Sequence, residues 1–428
     1  MKRRAFLRTL TLLGAGHALP MTLIPAAFGA TPARFFVSVN ADGGWDPTDL
    51  IDPKGNTPRS DGRGPVNHYA ASAIKSAGNL RYAVYPDGAT APDATNAGHL
   101  DTFFQKHYRR LRVINGIDTQ TNGHETGRRF VWSGRLEQGF PSVAALAAAP
   151  YAEQPMAYIS NGGYDFTASL VASVRTSSSA TFTSLAYPNS QYADIAARRN
   201  EGYLSANADN MVQAARAARL ERQQQDETLP LRLQQMQQLE EARSGDVALD
   251  GLLTRLPATL SSGLKGQAEV AAAAFASGLA VSANLNLGGF DTHGNHDQSQ
   301  LSALTRLLEG VDHLWSEVTR HGLQDKVTIV IGSDFGRTPF YNAGAGKDHW
   351  NVTSIMAMGA GVSGNLVVGA TNGNFEAMKL NASTLQPHSS GITVTPKHVH
   401  RALRDMLGVP AQFDAQFPLN VERLPLFG

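Results

Sequence analysis

Acidic and imidazole residues recur directly after short apolar runs of this sequence. Carboxylate oxygens combined with imidazole nitrogens suit zinc, manganese or iron and, less well, magnesium and calcium. Two such ions close together would hold a phosphoryl or sulfuryl group between them and activate a nucleophile. The sequence therefore indicates a site for one or two divalent ions (Zn, Mn, Ca or Mg). Its candidate ligands are Asp46, Asp49, Asp291, His293, His296, Asp334 and His349.

Taken singly, each of these residues has a simpler interpretation. An aspartate after a strand is usually a turn residue or a helix cap, and His296 is equally suited to begin the helix that follows it. The pair Asp291-x-His293 alone is more often structural than metal-binding. The metal hypothesis depends on carboxylates and imidazoles recurring at several strand ends of one chain.

Short β-branched or aromatic runs precede the candidate ligands, and they predict buried strands. An alanine-rich segment at 267–281 and a leucine face between Leu301 and Val318 predict helices between the strands. This alternation predicts an α/β fold with a central, mostly parallel sheet flanked by helices. Because ligands bind at the carboxyl ends of such strands, we expect the candidate ligands to converge. The predicted strands are 34–40, 111–116, 282–287, 327–331, 354–358 and 366–368.

Composition excludes several classes of function. The chain has 428 residues, a formal net charge of +1 and no cysteine. Without a basic excess, nucleic acid is not an expected partner. Without cysteine, disulfide and thiol chemistry are excluded, and any metal site must use oxygen and imidazole ligands.

The first thirty residues have the order of an export signal. A basic start with Arg3-Arg4 precedes an interrupted apolar run, and small residues follow at 27–30. This order predicts a twin-arginine signal peptide at 1–30, with the Tat translocase as a transient partner and a periplasmic or extracellular location. An ordinary Sec signal and a basic helix of a cytosolic protein are the alternatives. After removal of the signal, no membrane span is predicted.

Residues 31–428 are predicted to form one domain that carries a helical insertion at about 201–260. The stretch 201–243 is rich in Gln, Arg and Glu, with Leu233, Met236 and Leu239 at helical spacing. A solvated insertion is the simpler interpretation, and a pair of partner-binding helices is the alternative.

Several short motifs carry a family resemblance across nearly the whole of residues 31–428. The chain resembles the bacterial DUF1501 family, whose members are similar to alkaline phosphatases and sulfatases. The resemblance implies an alkaline phosphatase-like domain. The motifs are Gly43-Gly44-Trp45-Asp46, Asn122-Gly123-His124, Gly289-Phe290-Asp291-Thr292-His293, the segment 332–339 and the segment 346–350.

The resemblance implies metal ligands residue by residue. Asp46, with Asp49 as an alternate, resembles the ligand of one ion. Asp291 and His293, with His296 as an alternate, resemble ligands of the other ion. Asp334 stands where the superfamily has an Asp-His pair, but Phe335 replaces that histidine and leaves the second ion in question. His349 resembles a late histidine ligand.

The nucleophile implied by the resemblance lies in the loop that includes Thr121 and His124. Thr121, or Thr119, resembles the superfamily's hydroxyl nucleophile, and His124 is a further candidate catalytic residue. The alternative is that these threonines only cap a helix that begins near Gly123. Arg337 would bind the anionic ester through its planar guanidinium, or would pair with a site carboxylate.

Two functions are consistent with these residues. The first is an exported metal-dependent hydrolase of phosphate or sulfate esters, with a small anionic ester as its substrate. The second is a non-catalytic metal-binding or cell-surface assembly protein with the same fold. The dense ligands at strand ends favour the first function, whereas the missing histidine and the uncertain nucleophile favour the second.

Overall fold

A computed structural model describes most of the chain beyond the first thirty residues. The residues described are 32–83, 94–154, 156–175, 183, 189, 202–230, 232–233, 235–236 and 246–428. Residues 31–428 cluster as one compact unit. The predicted signal peptide at 1–30 lies outside the described residues and stays a prediction.

Among the described residues, eight strands form the central sheet, in the order β12-β4-β11-β8-β1-β7-β5-β6. Two short antiparallel pairs, β2 with β3 and β9 with β10, lie outside it. The strands are β1 (Phe35–Asp42), β2 (Lys75–Ala77), β3 (Leu80–Tyr82), β4 (Leu111–Asp118), β5 (Tyr158–Ser160), β6 (Ser173–Val174), β7 (Ser282–Gly288), β8 (Val327–Ser333), β9 (Gly336–Arg337), β10 (His349–Trp350), β11 (Val352–Gly359) and β12 (Leu366–Val368).

The central sheet is mostly parallel, which confirms the predicted fold class. Strand β1 pairs in parallel with both β7 and β8, and β11 runs antiparallel to both β8 and β4. The registers Asp42↔Gly288 and Ala41↔Ser333 bring three strand ends to one level. Strands β1, β4, β7, β8 and β11 end one or two residues beyond the predicted positions, and the ends of β1, β4, β7 and β8 share one edge of the sheet.

Helices cover both faces of the sheet. Successive residues of β1 point to opposite faces. Phe35 and Val37 join the apolar core that includes the helix His296–Arg320, whereas Phe36 joins the core that includes the helices His124–Ser133 and Pro396–Leu407. The helices are α1 (Ala94–His107), α2 (His124–Ser133), α3 (Val143–Ala148), α4 (Ala206–Asp226), α5 (Asp246–Leu253), α6 (Gly263–Ala276), α7 (His296–Arg320), α8 (Pro396–Leu407) and α9 (Ala411–Gln416).

The leucine face predicted between Leu301 and Val318 is the buried face of α7. Within the predicted insertion, α4 has no buried residue, whereas α5 buries Leu249 and Leu252 in the core. Of the spaced apolar residues there, Leu239 lies outside the described residues. In the part of the chain that the structure describes, every helix is too short or too polar to cross a membrane.

Candidate metal centre

Four side chains meet at the edge where the parallel strands end. His124, Asp291, His293 and His349 form a cluster that we call the open group. Asp291 and His293 follow β7, and His124 is the first residue of α2, the helix that follows β4. His349 lies in β10, which pairs with β9 opposite Arg337. The sheet therefore brings three distant parts of the sequence to one place.

The ligand atoms of the open group lie close together. The Nε2 atoms of His293 and His349 are 2.9 Å apart. From Asp291 Oδ1 the distance is 3.0 Å to His293 Nε2 and 3.2 Å to His349 Nε2. Asp291 Oδ2 lies 3.5 Å from His124 Nε2. Three imidazoles thus direct the same ring nitrogen toward one carboxylate.

Hydrogen bonds at the other ring nitrogen fix the orientation of each imidazole. His349 Nδ1–H donates to the carbonyl oxygen of Asn122 at 2.7 Å. Since a carbonyl can only accept, the neutral ring keeps its lone pair on Nε2. His124 Nδ1–H donates to Asp334 Oδ2 at 2.9 Å, and His293 Nδ1–H donates to Asp348 Oδ1 at 2.7 Å.

This donor set fits a single divalent ion. Metal-binding histidines usually donate their second N–H to a carboxylate or a backbone carbonyl, which fixes the tautomer and raises the basicity of the ligand nitrogen. Each imidazole of the open group has such a partner. Three imidazoles and one carboxylate suit zinc, manganese or iron better than magnesium or calcium.

The charges of the open group are suited to a cation at neutral pH. Burial raises the pKa of Asp291, but the hydrogen bond and the charge of Arg337 outweigh burial and lower that pKa to about 2. Burial lowers the pKa of His349, which favours the neutral ring. The bond to Asp334 raises the pKa of His124. A carboxylate and at least one neutral imidazole are therefore present near pH 7.

Asp334 lies behind His124, on the side of its Nδ1 atom. Its side chain is fully buried, and Oδ2 accepts from both His124 Nδ1 and the Gly43 amide. Burial raises the pKa of Asp334 despite the bond from His124. This corrects the expectation that Asp334 is a direct ligand, because its carboxylate accepts from the candidate ligand His124 and so orients that ring.

Arg337 is fully buried and donates hydrogen bonds at all three guanidinium nitrogens. Nε donates to Gly44 O at 2.8 Å, Nη1 to Lys347 O at 3.0 Å, and Nη2 to Gly43 O and to Asp291 Oδ1, the latter at 2.7 Å. Of the two predicted roles, the geometry favours pairing with a site carboxylate over binding an anionic ester. Arg337 joins the turn after β1 to the ligand loop after β7.

The turn after β1 requires glycine, because the Asp291 backbone and the Phe335 ring approach it closely. Gly43 has φ +118°, and a Cβ there would lie 2.6 Å from the amide nitrogen of Asp291. Gly44 has φ +82°, and its Cβ would lie 2.5 Å from the Phe335 ring. Only glycine adopts such a conformation without strain and leaves room for these neighbours.

Asp46, Asp49 and His296 form a second, separate cluster with Lys347, which we call the buried group. His296 Nε2 lies 3.1 Å from Asp46 Oδ2 and 3.0 Å from Asp49 Oδ2. Lys347 Nζ donates to Asp46 Oδ2 at 2.6 Å. The side chains of Asp46, His296 and Lys347 are fully buried, and that of Asp49 is 8% exposed.

Burial and mutual contact set the charges of the buried group. Burial raises the pKa of Asp46, but Lys347 and His296 outweigh it, so that pKa lies far below its usual range. Burial and the charge of Asp46 raise the pKa of Asp49. Burial opposes protonation of His296, but the bonds to both carboxylates raise its pKa.

The structure thus corrects the expectation of one common ligand set. Asp291, His293 and His349 meet as predicted, together with His124, which the sequence suggested only as a catalytic residue. Asp46, Asp49 and His296 meet one another instead, around an ammonium group. In the described part of the chain, His124, Asp291 and His349 have ligand atoms within 4.8 Å of one another, and so do Asp46, Asp49 and His296; His293 is not part of the first set.

The hydroxyl groups of the candidate nucleophile loop are used locally. Thr121 Oγ1 lies 2.7 Å from Thr126 Oγ1 and accepts from the Gly123 amide at 3.3 Å, beside the first turn of α2. Thr119 Oγ1 contacts the carbonyl oxygens of Thr121 and Asn351, each at 2.8 Å. Both hydroxyls are thus engaged locally, but neither caps α2, whose N-cap is Gly123 without a side-chain hydrogen bond.

Two residues of the site were given no role from the sequence. Lys347 carries the cation of the buried group, and Asp348 orients His293. Both belong to the motif Gly346-Lys347-Asp348-His349-Trp350, so their positions were marked, but only His349 was given a role. Spacing alone gave no sign that Lys347 meets Asp46, which lies 301 residues away.

Comparison with known proteins places the chain in a family. No curated protein matches its sequence. A sulfatase from Pseudoalteromonas sp. aligns at 10% identity and a TM-score of 0.37, with 89% of this chain and 68% of that chain covered. An alkaline phosphatase from the Antarctic bacterium TAB5 aligns at 8% identity and a TM-score of 0.35, with 89% and 99% covered.

The lipoteichoic acid synthase LtaP from Listeria monocytogenes aligns at 6% identity and a TM-score of 0.36, with 94% of this chain and 76% of that chain covered. At these identities and TM-scores, the three likenesses say nothing about activity. The sequence profile of DUF1501, described as a protein of unknown function, matches residues 33–395. The predicted family is therefore confirmed, and the chain belongs to DUF1501.

Proposed function

We propose that this protein is an exported, metal-dependent hydrolase of phosphate or sulfate esters, with a single divalent ion held by the open group. The observation that carries the proposal is the arrangement of His124, His293 and His349, whose Nε2 atoms meet at Asp291 while each Nδ1 is held by a separate acceptor. Such an arrangement is typical of a metal centre with oriented ligands.

The open group and the residues that hold it each have a defined task in this proposal. A divalent ion offsets negative charge on an ester and lowers the pKa of water. Asp291 supplies the anionic ligand, and Arg337 holds its carboxylate in place. Asp334 and Asp348 hold His124 and His293 with Nε2 directed inward. Side chains of Asp291 and His293 are about half exposed, so a solvent-borne ester has access to them.

A specific observation favours the second candidate function, a non-catalytic metal-binding protein. The hydroxyl groups of Thr119 and Thr121 are engaged in local contacts. Arg337 is buried, and each of its guanidinium nitrogens already donates a hydrogen bond within the protein. The protein-derived nucleophile and the anion-binding guanidinium implied by the superfamily resemblance are thus both occupied. Hydrolysis would then depend on the ion and on water alone.

Metal content and turnover distinguish the two functions. Purified mature protein is loaded with manganese or zinc, and chelator-sensitive hydrolysis of aryl phosphate and aryl sulfate esters is measured alongside elemental analysis. Asp291→Ala should lose both the ion and the hydrolysis, because it removes the anionic ligand. The matched control is Asp325→Ala, which removes an exposed carboxylate elsewhere and should keep both.

Three outcomes decide the proposal. Chelator-sensitive turnover that disappears in Asp291→Ala supports a hydrolase. Stoichiometric metal without turnover of any ester in the panel supports the non-catalytic function. Protein that binds no ion after loading, or that keeps its ion in Asp291→Ala, contradicts the open group as the metal centre.

A further inference from the structure

We infer that the Lys347 ammonium is a built-in cation that replaces a second metal ion, so that the buried group binds no metal. The inference rests on the proposed function in taking the open group as the metal centre. The superfamily resemblance implies an ion at Asp46, and three residues of the buried group are of ligand type. The contacts of Lys347 do not fit that ion.

The ammonium of Lys347 binds directly to Asp46, the carboxylate to which the resemblance assigns an ion. Nζ lies 2.6 Å from Asp46 Oδ2 and 3.5 Å from Thr48 Oγ1. It also lies 5.0 Å from the centre of the Tyr341 ring, a favourable place for a cation. The side chain is fully buried, so it has no alternative position in solvent without rearrangement.

The carboxylate oxygens of the buried group are already satisfied. Asp46 Oδ1 accepts from the amide and the hydroxyl of Thr48, at 2.8 and 2.7 Å. Asp49 Oδ1 accepts from Asn67 Nδ2 at 2.8 Å. The two Oδ2 atoms share His296 Nε2. A zinc-like ion must approach its ligand atoms to roughly 2.0–2.2 Å, so it would have to displace Lys347.

Charge and protonation separate the two clusters. The buried group combines two carboxylates with an ammonium and an imidazole, and a divalent ion added to them would place excess positive charge in a sealed interior. His296 Nε2 faces two carboxylate oxygens, which is the surrounding of an N–H donor. In the open group, by contrast, the Nε2 atoms of His293 and His349 face each other.

Lys347 also explains how the two clusters are connected. It precedes Asp348, which orients one ligand of the open group, and His349, which is another. The Lys347 carbonyl accepts from Arg337 Nη1, and Arg337 holds Asp291. The ammonium therefore neutralises the buried group, whereas the Lys347 carbonyl, which a methionine would keep, helps to position the open group.

Removing the ammonium should create a second metal site. Mature Lys347→Met and wild-type proteins are loaded with zinc, dialysed and compared by elemental analysis and calorimetric zinc titration. We expect one ion per wild-type chain and two per Lys347→Met chain. Lys54→Met is the matched control, since Lys54 makes a similar pair with Asp52 at 3.0 Å outside both clusters; it should keep the wild-type content. Circular dichroism and thermal unfolding verify that each variant is folded.

A second arm keeps the lysine and removes a carboxylate. Asp49→Asn should leave the zinc content of the wild type unchanged, whereas a fall by one ion per chain overturns the inference. A folded Lys347→Met that binds no additional ion also overturns it. If Lys347→Met does not fold, the Asp49→Asn result decides. If the wild type binds no zinc but Lys347→Met binds one ion, the inference stands and the proposed function fails.

Discussion

At the scale of single residues, the proposed metal centre depends on the acceptors behind the imidazoles. An imidazole ring has two nitrogens, and the acceptor at Nδ1 decides which of them carries the lone pair. Here the acceptors are of three kinds: the buried carboxylate of Asp334, the exposed carboxylate of Asp348 and the backbone carbonyl of Asn122. The two side-chain acceptors, Asp334 and Asp348, can be substituted without changing a candidate ligand.

We predict that Asp348→Ala weakens metal binding without abolishing it. The substitution frees the His293 ring from its 2.7 Å bond, so the ring must lose rotational freedom on binding. Loss of such a partner typically costs about tenfold to a hundredfold in affinity. Competition titration with a chromophoric zinc chelator measures the change. Asp226→Ala, at an exposed position on α4, serves as the control; equal affinities for both variants would contradict the role of Asp348.

The sequence predicted the residue types of this centre better than their partners. Asp291, His293 and His349 were predicted ligands because they follow strand ends or stand in a recognisable motif. Lys347 could not be paired with Asp46 in advance, because contact between distant loops depends on tertiary packing. The burial of Arg337 was equally hidden, since an arginine after a strand is as suited to a substrate as to a carboxylate.

At the scale of secondary structure, the turn after β1 sets the distance between the strand and the ligand loop. The Asp291 amide lies so close to Gly43 that a side chain at position 43 would collide with it. The same turn offers the Gly43 and Gly44 carbonyls to Arg337. The position of Asp291 is therefore determined by backbone packing as well as by its own hydrogen bonds.

We predict that Gly43→Ala destabilises the protein and weakens metal binding. A positive φ costs alanine about 1–2 kcal/mol, and the collision with the Asp291 backbone should add roughly 1–3 kcal/mol. Gly62→Ala is the matched control, because Gly62 also has a positive φ of +73° but no atom within 4 Å of an added Cβ. Urea unfolding measures the difference, and equal losses in the two variants would count against the close approach.

Strands and helices were predictable where their burial pattern was simple. The run 327–331 predicted β8 because all five of its residues are β-branched, and the spaced leucines predicted α7 because one face of that helix is buried. The short pair β9–β10 had no such signal, because two-residue strands have no periodicity. That pair brings His349 beside Arg337, so the sequence could not place this ligand by itself.

At the scale of the whole molecule, α8 closes one face of the sheet and carries a buried imidazole. His400 Nε2–H donates to the Val131 carbonyl of α2 at 2.8 Å, and Nδ1 is buried without a hydrogen-bond partner among the described residues. Burial, and then the charge of Arg404, lower the pKa of His400 to about 3. Folding therefore requires the neutral ring, whereas the unfolded chain protonates it near pH 6.5.

We predict that His400 makes the whole protein less stable as the pH falls. Its contribution is complete above about pH 6.5 and is lost progressively as the pH falls toward about 3, because only the unfolded state binds the proton. Between about pH 7.5 and about pH 5 the loss is roughly 2 kcal/mol. His400→Gln, which keeps an N–H donor but does not titrate, should unfold with a smaller pH dependence in urea. His388→Gln, at an exposed position, controls for the exchange; identical pH profiles for wild type and His400→Gln would refute the role of His400.

The order of strands in the sheet has a consequence for the time at which the protein could acquire the proposed ion. The first described strand lies in the middle of the sheet, and its residue Asn40 bonds to Asn286, which lies 246 residues later. Such non-local pairing is slow to form, since loop closure precedes any gain from contact. His124 leaves the ribosome long before Asp291 and His349, so a nascent chain holds an incomplete coordination sphere for most of its synthesis. Under the proposed function, insertion of the ion would therefore be one of the last events in the maturation of the protein, after β7, β8 and β10 have joined the sheet edge.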